Sequence, residues 1–196
     1  YKKYKKNLKN KTIVCMASSL FYINPKKLLE KIKKNKIKRN YFYSLTKSWE
    51  IQEHLQLDIF LFSMELFKNK LFLNWWKNIK KFKSRHIIIK KYELGLTLFL
   101  KKLRINMVAL FRNNIDNYPS TIKKIIIKKI MNIFYRKNKI YKKNPTHFYW
   151  EKIYDNFGII KIDLIKSNPH EVNIKKLNNY FTKKELKKFN QEAINN

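Results

Sequence analysis

The stretch from residue 54 to 91 constrains the fold most, because its apolar residues follow two different periods. Over residues 57–67 they recur at helical spacing, which predicts a helix with Asp58 as its N-cap. Asn69 can start a second helix in the same way. The β-branched run 86–89 then predicts a strand. The stretch therefore predicts two helices followed by a strand.

The second predicted helix has two different faces. Its apolar face, which we expect to be buried, consists of Leu71, Trp75, Ile79 and Phe82. Its polar face consists of Lys70, Asn74, Lys77 and Lys81. Trp75 and Trp76 are adjacent and cannot both face the same side of a helix, so we expect one in the core and the other near a bound partner.

The order of these elements resembles the alpha-L RNA-binding motif of the small-subunit ribosomal protein four family. The matching residues are Gln56-Leu57-Asp58, Asn69 and the run from His86 to Ile89. Upstream, residues 40–46 are similar to the segment that precedes the motif in organellar members, and downstream, residues 145–151 and 159–169 are similar to the C-terminal part of the family. The resemblance implies two helices on a small β-sheet, binding near the 5′ domain of the small-subunit rRNA, and an early role in subunit assembly.

The pattern and the resemblance together predict an α+β fold with four consecutive segments. These are a basic arm with N-terminal helices (1–53), an alpha-L RNA-binding domain (54–103), an inserted basic helical segment (104–144), and C-terminal strands with a final helix (145–196). A helix at 121–137 is expected within the insertion, where it could contact RNA, a neighbouring protein or, as the alternative, an anionic membrane surface.

Local signals place the remaining elements. Residues 12–23 predict a short strand or helix. A helix should follow Asn24-Pro25, with Leu28, Leu29 and Ile32 buried, and another short helix is expected over 46–53 with Trp49 as an anchor. Strands are expected at 92–103, with a bulge or bend at Gly95, and at 148–154 and 159–165. Thr182 and Glu185 fit a capping box that starts a last helix.

The charge of the chain indicates its class of partner. Lys and Arg number 46 against 13 Asp and Glu, a formal net charge of +33 in 196 residues. Such a chain repels itself strongly when free, and a dense polyanion relieves that repulsion. We therefore expect salt-sensitive binding to RNA. The predicted RNA-binding residues are Lys38, Arg39, Lys68, Lys70, Lys77, Lys80, Lys81, Lys83, Arg85 and Lys90.

Other classes of site find no support in the sequence. Cys15 is the only cysteine, and the four histidines are far apart without metal spacing, so neither metal nor cofactor is expected. No constellation suggests catalysis, so we do not expect an enzyme or a small-molecule substrate. No apolar run approaches the ~20 residues that span a bilayer, and the first eleven residues lack the apolar core of a signal peptide.

These observations predict a structural constituent of the small ribosomal subunit of an organelle. Abundant Lys, Asn, Ile, Phe and Tyr indicate an AT-rich genome such as that of an organelle. We expect a mitochondrion rather than a plastid. The expected partners are small-subunit rRNA and neighbouring ribosomal proteins, and the family resemblance adds a place near the mRNA entry channel. The alternatives are a lineage-specific mitoribosomal scaffold protein without the motif, and an accessory subunit of an organellar respiratory membrane complex.

Overall fold

The computed structural model describes residues 11–35, 37–48, 52–112 and 144–195, which form a mixed α and β fold. The chain divides into two compact units that are interleaved in sequence, whereas the predicted division was consecutive. Unit 1 lies within residues 1–17 and 35–138, and unit 2 within residues 18–34 and 139–196. Each unit has a core of its own.

The elements are as follows in chain order. Up to residue 63 they are β1 (Thr12–Met16), β2 (Leu20–Tyr22), α1 (Pro25–Lys34), β3 (Tyr41–Ser44), β4 (Lys47–Ser48), β5 (His54–Leu55) and β6 (Ile59–Ser63). Then come α2 (Met64–Lys68), α3 (Lys70–Lys77), α4 (Arg85–Ile88), a π-helix (Ile89–Leu94), α5 (Gly95–Lys102) and β7 (Asn106–Ala109). The last are α6 (Pro145–Phe148), α7 (Trp150–Phe157), β8 (Ile159–Lys161), α8 (Ile162–Lys166), α9 (Leu177–Tyr180) and α10 (Lys183–Asn195).

Unit 1 is built on a four-stranded sheet in the order β1-β6-β3-β7. The central strand β6 pairs antiparallel with β1 and β3, and β3 pairs parallel with β7. One face of the sheet presents Phe42, Phe60 and Phe62 to the helices, and their rings stack on one another. Phe72 of α3 meets Phe62 edge-on with ring centroids 5.1 Å apart. This aromatic cluster fixes the helices on the sheet.

The predicted first helix over 57–67 is wrong up to Ser63, because residues 59–63 form strand β6, and only the residues from Met64 onward are helical. All five residues of β6 are buried, so its sequence shows no apolar-polar alternation. A short apolar run of this kind cannot be assigned to helix or strand by periodicity alone. The predicted N-cap Asp58 lies in the turn before β6, and the helix that follows, α2, is capped by Ser63 instead.

The predicted strands at 86–89 and 92–103 are also wrong, because residues 85–102 are helical throughout. Ile89, Leu94, Leu96 and Leu100 are buried, and this burial outweighs the β-propensity of the isoleucines. Gly95 has helical φ and ψ of −58° and −45° and forms no bulge. The Thr97 hydroxyl accepts a hydrogen bond from the Leu55 amide (3.1 Å), which ties β5 to this helix.

The expected order of two helices followed by a strand is therefore not found over 54–103, and the alpha-L arrangement is not confirmed. The short helix expected over 46–53 is wrong where it can be examined, because Lys47–Ser48 is a strand paired with His54–Leu55; Trp49 lies outside the described residues. The segment 104–144 is not wholly helical, since it contains β7, and the helix expected at 121–137 lies outside the described residues.

Unit 2 pairs strand β2 with β8 and packs helices beside them. Residues 12–23, for which a strand or a helix is predicted, form two strands, β1 in unit 1 and β2 in unit 2. The helix start at Asn24-Pro25 is confirmed, since Asn24 Oδ1 accepts a hydrogen bond from the Lys27 amide (3.3 Å). Leu28 and Ile32 are buried as predicted, whereas Leu29 is 53% exposed.

The core of unit 2 gathers around Trp150, Leu164 and Phe181. The predicted strand at 148–154 is wrong, because α7 occupies it and buries Trp150, Ile153 and Phe157 at helical spacing. The predicted strand at 159–165 is right only as far as Lys161, after which α8 begins.

The end of unit 2 contains the predicted capping box. The Thr182 amide donates to Glu185 Oε2 (2.8 Å), and the Glu185 amide donates to Thr182 Oγ1 (3.2 Å). Both of these bonds satisfy amides at the start of α10, which have no partner within a helix. The predicted last helix is therefore confirmed, with its start where the sequence places it.

Candidate nucleic-acid interface

Two caps fix the helices that carry the first predicted lysines. Ser63 Oγ accepts a hydrogen bond from the Leu66 amide (3.2 Å) and starts α2. Asn69 both ends α2 and starts α3, since its Oδ1 accepts from the Leu71 and Phe72 amides at 3.0 and 3.1 Å. The prediction that Asn69 caps the second helix is confirmed. This shared residue sets Lys68 and Lys70 on either side of the junction, both exposed.

The segment between α3 and α4 is held by the π-helix. The Tyr92 hydroxyl accepts a hydrogen bond from the Lys80 amide (2.5 Å) and donates to the Lys80 carbonyl (2.6 Å). Lys91 Nζ lies 4.7 Å from the centre of the Phe82 ring, a cation–π contact. Two consecutive residues of the π-helix therefore fix the backbone and one side chain of a lysine-rich loop.

An open groove lies where α3, this loop and the helices of residues 89–102 meet. Its volume is about 450 Å³. It is lined by Leu71, Asn74, Trp75, Asn78, Lys80, Phe82, Lys91, Tyr92 and Phe99. Trp75 stands edge-on to Tyr92, with ring centroids 6.0 Å apart, and Phe82 is tilted against Tyr92 at 5.9 Å. The groove is therefore walled by aromatic rings and bordered by two ammonium groups.

Trp75 and Trp76 are both half-buried and both pack against the aromatic cluster of unit 1, so the predicted division into one core and one outer tryptophan is not clear-cut. Trp76 stacks on Phe60 of the sheet, with centroids 5.3 Å apart and planes 11° apart, and meets Phe72 edge-on. Trp75 instead packs against Phe99 and lines the groove. Of the predicted apolar face of α3, however, Leu71 is 61% exposed, and the fully buried residue is its neighbour Phe72.

The predicted RNA-binding residues are on the surface wherever their side chains are described. The exposed ones are Lys38, Arg39, Lys68, Lys70, Lys77, Lys80, Lys81, Lys83 and Lys90. Arg85 is the first residue of α4, and its side chain is outside the described part. Of this set Lys80 lines the groove, while Lys38 lies before β3 with its ammonium 5.2 Å from the centre of the Tyr41 ring.

Sequence reasoning missed Asn78 as a groove residue, and it missed Lys91, Tyr92 and Phe99, which it placed in or beside strands. Their assignment to strands placed alternate residues on opposite faces of a sheet, which hides the partners they have in a helix. One signal could have found Lys91 and Tyr92. Phe82 and Tyr92 lie next to lysines on both sides of the run 83–91, and aromatic side chains between basic ones are typical of single-stranded nucleic-acid sites.

The part of the sequence that forms most of the groove contains basic residues but no acidic ones. No Asp or Glu occurs from Leu66 to Tyr92, a stretch that carries most of the predicted basic residues. The next acid, Glu93, lies 3.1 Å from Nε2 of buried His54 through its Oε2. With 13 acids for 46 basic residues in the whole chain, one-to-one pairing leaves most of the cations without a carboxylate. This surface is therefore suited to an anionic partner.

Comparisons of the chain with protein-family models, with curated proteins and with solved structures found no match. Within the described ranges, no helix is long and apolar enough to cross a membrane. In the same part of the chain, no group of three or more His, Cys, Asp or Glu side chains is arranged to hold a metal ion.

Proposed function

We propose that this protein binds RNA as a structural constituent of the small subunit of a mitochondrial ribosome, without catalytic activity of its own. The observation that carries the proposal is the acid-free stretch from Leu66 to Tyr92, whose lysines are all exposed and two of which, Lys80 and Lys91, line an aromatic groove. Phosphates attract such a surface at long range, and rings give it contacts to bases at short range.

The mechanism we propose is electrostatic attraction to phosphates, together with recognition of the shape of a folded RNA. Lysines of α2, α3 and the following loop neutralise phosphates of a folded RNA, and each neutralised phosphate releases condensed counterions. The caps at Ser63 and Asn69 and the Tyr92 hydroxyl bonds hold these lysines on a fixed scaffold. Fixed positions reduce the entropy lost on binding.

One observation favours a lineage-specific ribosomal protein over a member of the protein four family. The family resemblance requires two helices followed by a strand over 54–103, whereas this part of the chain runs from strand β6 into helices. The proposal therefore depends on charge and on the groove, and not on an alpha-L motif. Contact with mRNA near the entry channel and with neighbouring small-subunit proteins belongs to the same proposal.

Binding of the full chain to transcribed small-subunit rRNA tests the proposal directly. We expect the logarithm of the association constant to fall linearly with the logarithm of salt concentration, with a slope of about −5 or steeper if six or more phosphates are contacted. A duplex RNA of equal length serves as the control for charge alone. Equal affinity and equal slope for both RNAs would leave only non-specific attraction and contradict a ribosomal role.

Fractionation of organelles separates the proposal from the respiratory-complex alternative. A ribosomal constituent sediments with the small subunit and leaves it after nuclease treatment or high salt. A subunit of a membrane complex follows detergent-solubilised membranes and is indifferent to nuclease. The second result would overturn the proposed function.

A further inference from the structure

We infer, on the basis of the proposed RNA-binding function, that the groove between α3 and the 89–102 helices receives one unpaired nucleotide. Its base lies against the rings of Trp75, Phe82 and Tyr92, and its phosphates lie beside Lys80 and Lys91. Four properties of the groove carry the inference: its volume, its rings, its charge and its amide groups.

The volume and the rings suit a flat heterocycle. About 450 Å³ falls in the range of about 300–1,000 Å³ that small-ligand sites occupy. Trp75, Phe82 and Tyr92 are each only partly buried, so their rings remain accessible from the groove. Stacking of a base on such a ring is tolerant of base identity, because every base has a π-face.

The charge suits a phosphate and disfavours most other occupants. Lys80 and Lys91 are exposed at the edge of the groove, and none of its lining residues carries a carboxylate. An apolar peptide would gain from the rings but would leave both ammonium groups without a counter-charge. A nucleotide satisfies the rings and the cations together, and the groove is therefore assigned to RNA rather than to a protein neighbour.

Two carboxamides supply hydrogen-bonding groups for the edge of a base. Asn74 is exposed on α3, and Asn78 Nδ2 donates to the Asn74 carbonyl (2.8 Å), which holds the Asn78 amide near the groove. A carboxamide both donates and accepts, so it can pair with the Watson–Crick edge of a splayed base.

The occupant must be unpaired. In an A-form duplex the bases are stacked on one another, and the major groove is too narrow and deep for side chains to read. Only a base that has left the stack, in a loop, a bulge or a single strand, can reach the rings of Trp75 and Tyr92. The groove would therefore select irregular positions of a folded RNA, whereas the surrounding lysines contact phosphates in any structure.

Photocrosslinking of the full chain to a short single-stranded RNA that carries 4-thiouridine tests the inference. We expect crosslinked peptides to contain Trp75, Phe82 or Tyr92. Crosslinks that map only to other segments, with small-subunit rRNA still bound, would overturn the inference and leave the proposed function standing. Absence of binding to either RNA would overturn both.

A matched pair of variants gives the quantitative form of the test. The variant K80Q/K91Q removes two groove lysines, and the control K101Q/K102Q removes two exposed lysines at the end of α5 that do not line the groove. We expect K80Q/K91Q to bind the short RNA about fivefold or more weakly than the control does, because the phosphate loses its partners while the base keeps its stacking rings. Equal affinities of the two variants would contradict the inference.

The variant F82L tests the rings without disturbing the core, because Phe82 lies in the loop and outside the buried aromatic cluster. We expect it to weaken binding of the short single strand about fivefold to a hundredfold and to leave binding of duplex RNA unchanged. Unchanged binding of the single strand, as expected if the groove receives a protein neighbour instead, would overturn the inference.

Discussion

The lysine-rich surfaces of unit 1 and unit 2 differ in where their acids are. In unit 1 the stretch from Leu66 to Tyr92 contains no acid and surrounds an aromatic groove. In unit 2 a cleft of about 240 Å³ is lined by Lys27, Glu30, Lys31, Lys34, Asp155 and Asn156, a mixture of both signs. A high net charge alone therefore does not locate a binding surface, since the local absence of acids distinguishes the two.

The difference extends to the partners of the lysines. In unit 2, Lys176 pairs with Glu151 at 3.1 Å, and Lys31 donates to Asn156 Oδ1 at 3.3 Å. In the groove of unit 1, Lys91 instead lies over the Phe82 ring, where its charge remains available to an anion. The lysines of unit 2 are thus partly neutralised within the unit. Unit 1 also has such a pair away from the groove, Lys47 with Glu53 at 3.4 Å, but no acid lines the groove itself, so the lysines there are suited to an external counter-charge.

The largest expected effect comes from the core that supports the unit 1 surface. Phe72→Ala removes a fully buried ring that meets Phe42 and Phe62 edge-on. We expect a loss of about 3–5 kcal/mol in the free energy of unfolding, measured by urea denaturation, because the cavity and the lost burial add. The adjacent Leu71→Ala is the control, since Leu71 is 61% exposed and should change stability by less than about 0.5 kcal/mol. Equal effects of the two variants would show that the cluster does not support α3.

The two glycines of the chain, one in each unit, provide the next comparison. Gly158 ends α7 at φ +66°, and a Cβ there would lie 2.5 Å from the Asn24 carbonyl oxygen. Gly158→Ala should therefore cost about 2–4 kcal/mol, from left-handed strain and overpacking together. Gly95→Ala should instead stabilise by about 0.5–1 kcal/mol, because Gly95 is helical and its Cβ would have room. Thermal unfolding of both variants measures these changes in stability. Changes of the same sign in the two variants would contradict the described geometry of the glycines.

Charge-matched triple variants test the electrostatic comparison itself. One set replaces Lys77, Lys81 and Lys83 of unit 1 by Gln, and the other replaces Lys26, Lys33 and Lys34 of unit 2. We expect the unit 1 set to reduce the magnitude of the salt slope for rRNA binding by about 2, because each lost phosphate contact contributes about 0.7–0.9. The unit 2 set should reduce it by less than about 1. Equal reductions would mean that the nearby acids of unit 2 do not weaken the contribution of its lysines to RNA binding.

The smallest expected effect concerns the capping box of unit 2. Thr182→Ala removes the hydroxyl that accepts from the Glu185 amide and should cost about 1 kcal/mol. Hydrogen bonds from the backbone and hydroxyl of Thr182 hold the pKa of Glu185 below its ordinary value. A lowered pKa stabilises the folded state above the ordinary value, and this contribution is lost as pH falls through the folded-state pKa. The protection factors of the amides in the first turn of α10, which are corrected for the intrinsic pH dependence of hydrogen exchange, should therefore fall in acid, and fall less in Thr182→Ala.

The features that could be predicted from the sequence are those that depend only on residues close together in the chain. The caps at Asn24, Asn69 and Thr182 are correct, because a capping side chain bonds amides two or three positions away. The exposure of the lysines was predictable as well, since an unpaired ammonium is rarely buried. Both predictions need no knowledge of tertiary structure.

The errors have a common physical origin in tertiary packing. The sequence of strand β6 predicts a helix, because both faces of the strand are buried and the alternation that identifies a strand is absent. The strand expected at 86–89 is helical because its isoleucines join a helix whose leucines enter the core. The groove could not be predicted, since Trp75 and Tyr92 come from separate helices that only this packing brings together.

The π-helix at residues 89–94 has a consequence for how this chain can change over evolutionary time. Ile89 and Leu94 are five positions apart and both buried, a spacing that the wide turn accommodates. Deletion of one residue between them would leave a spacing of four, which an ordinary α-helix also places on one face. The core would survive such a deletion, while Lys91 and Tyr92 would rotate away from the loop that they hold. Homologous chains that differ in length by a single residue at this point should therefore keep the same interior and differ in the groove.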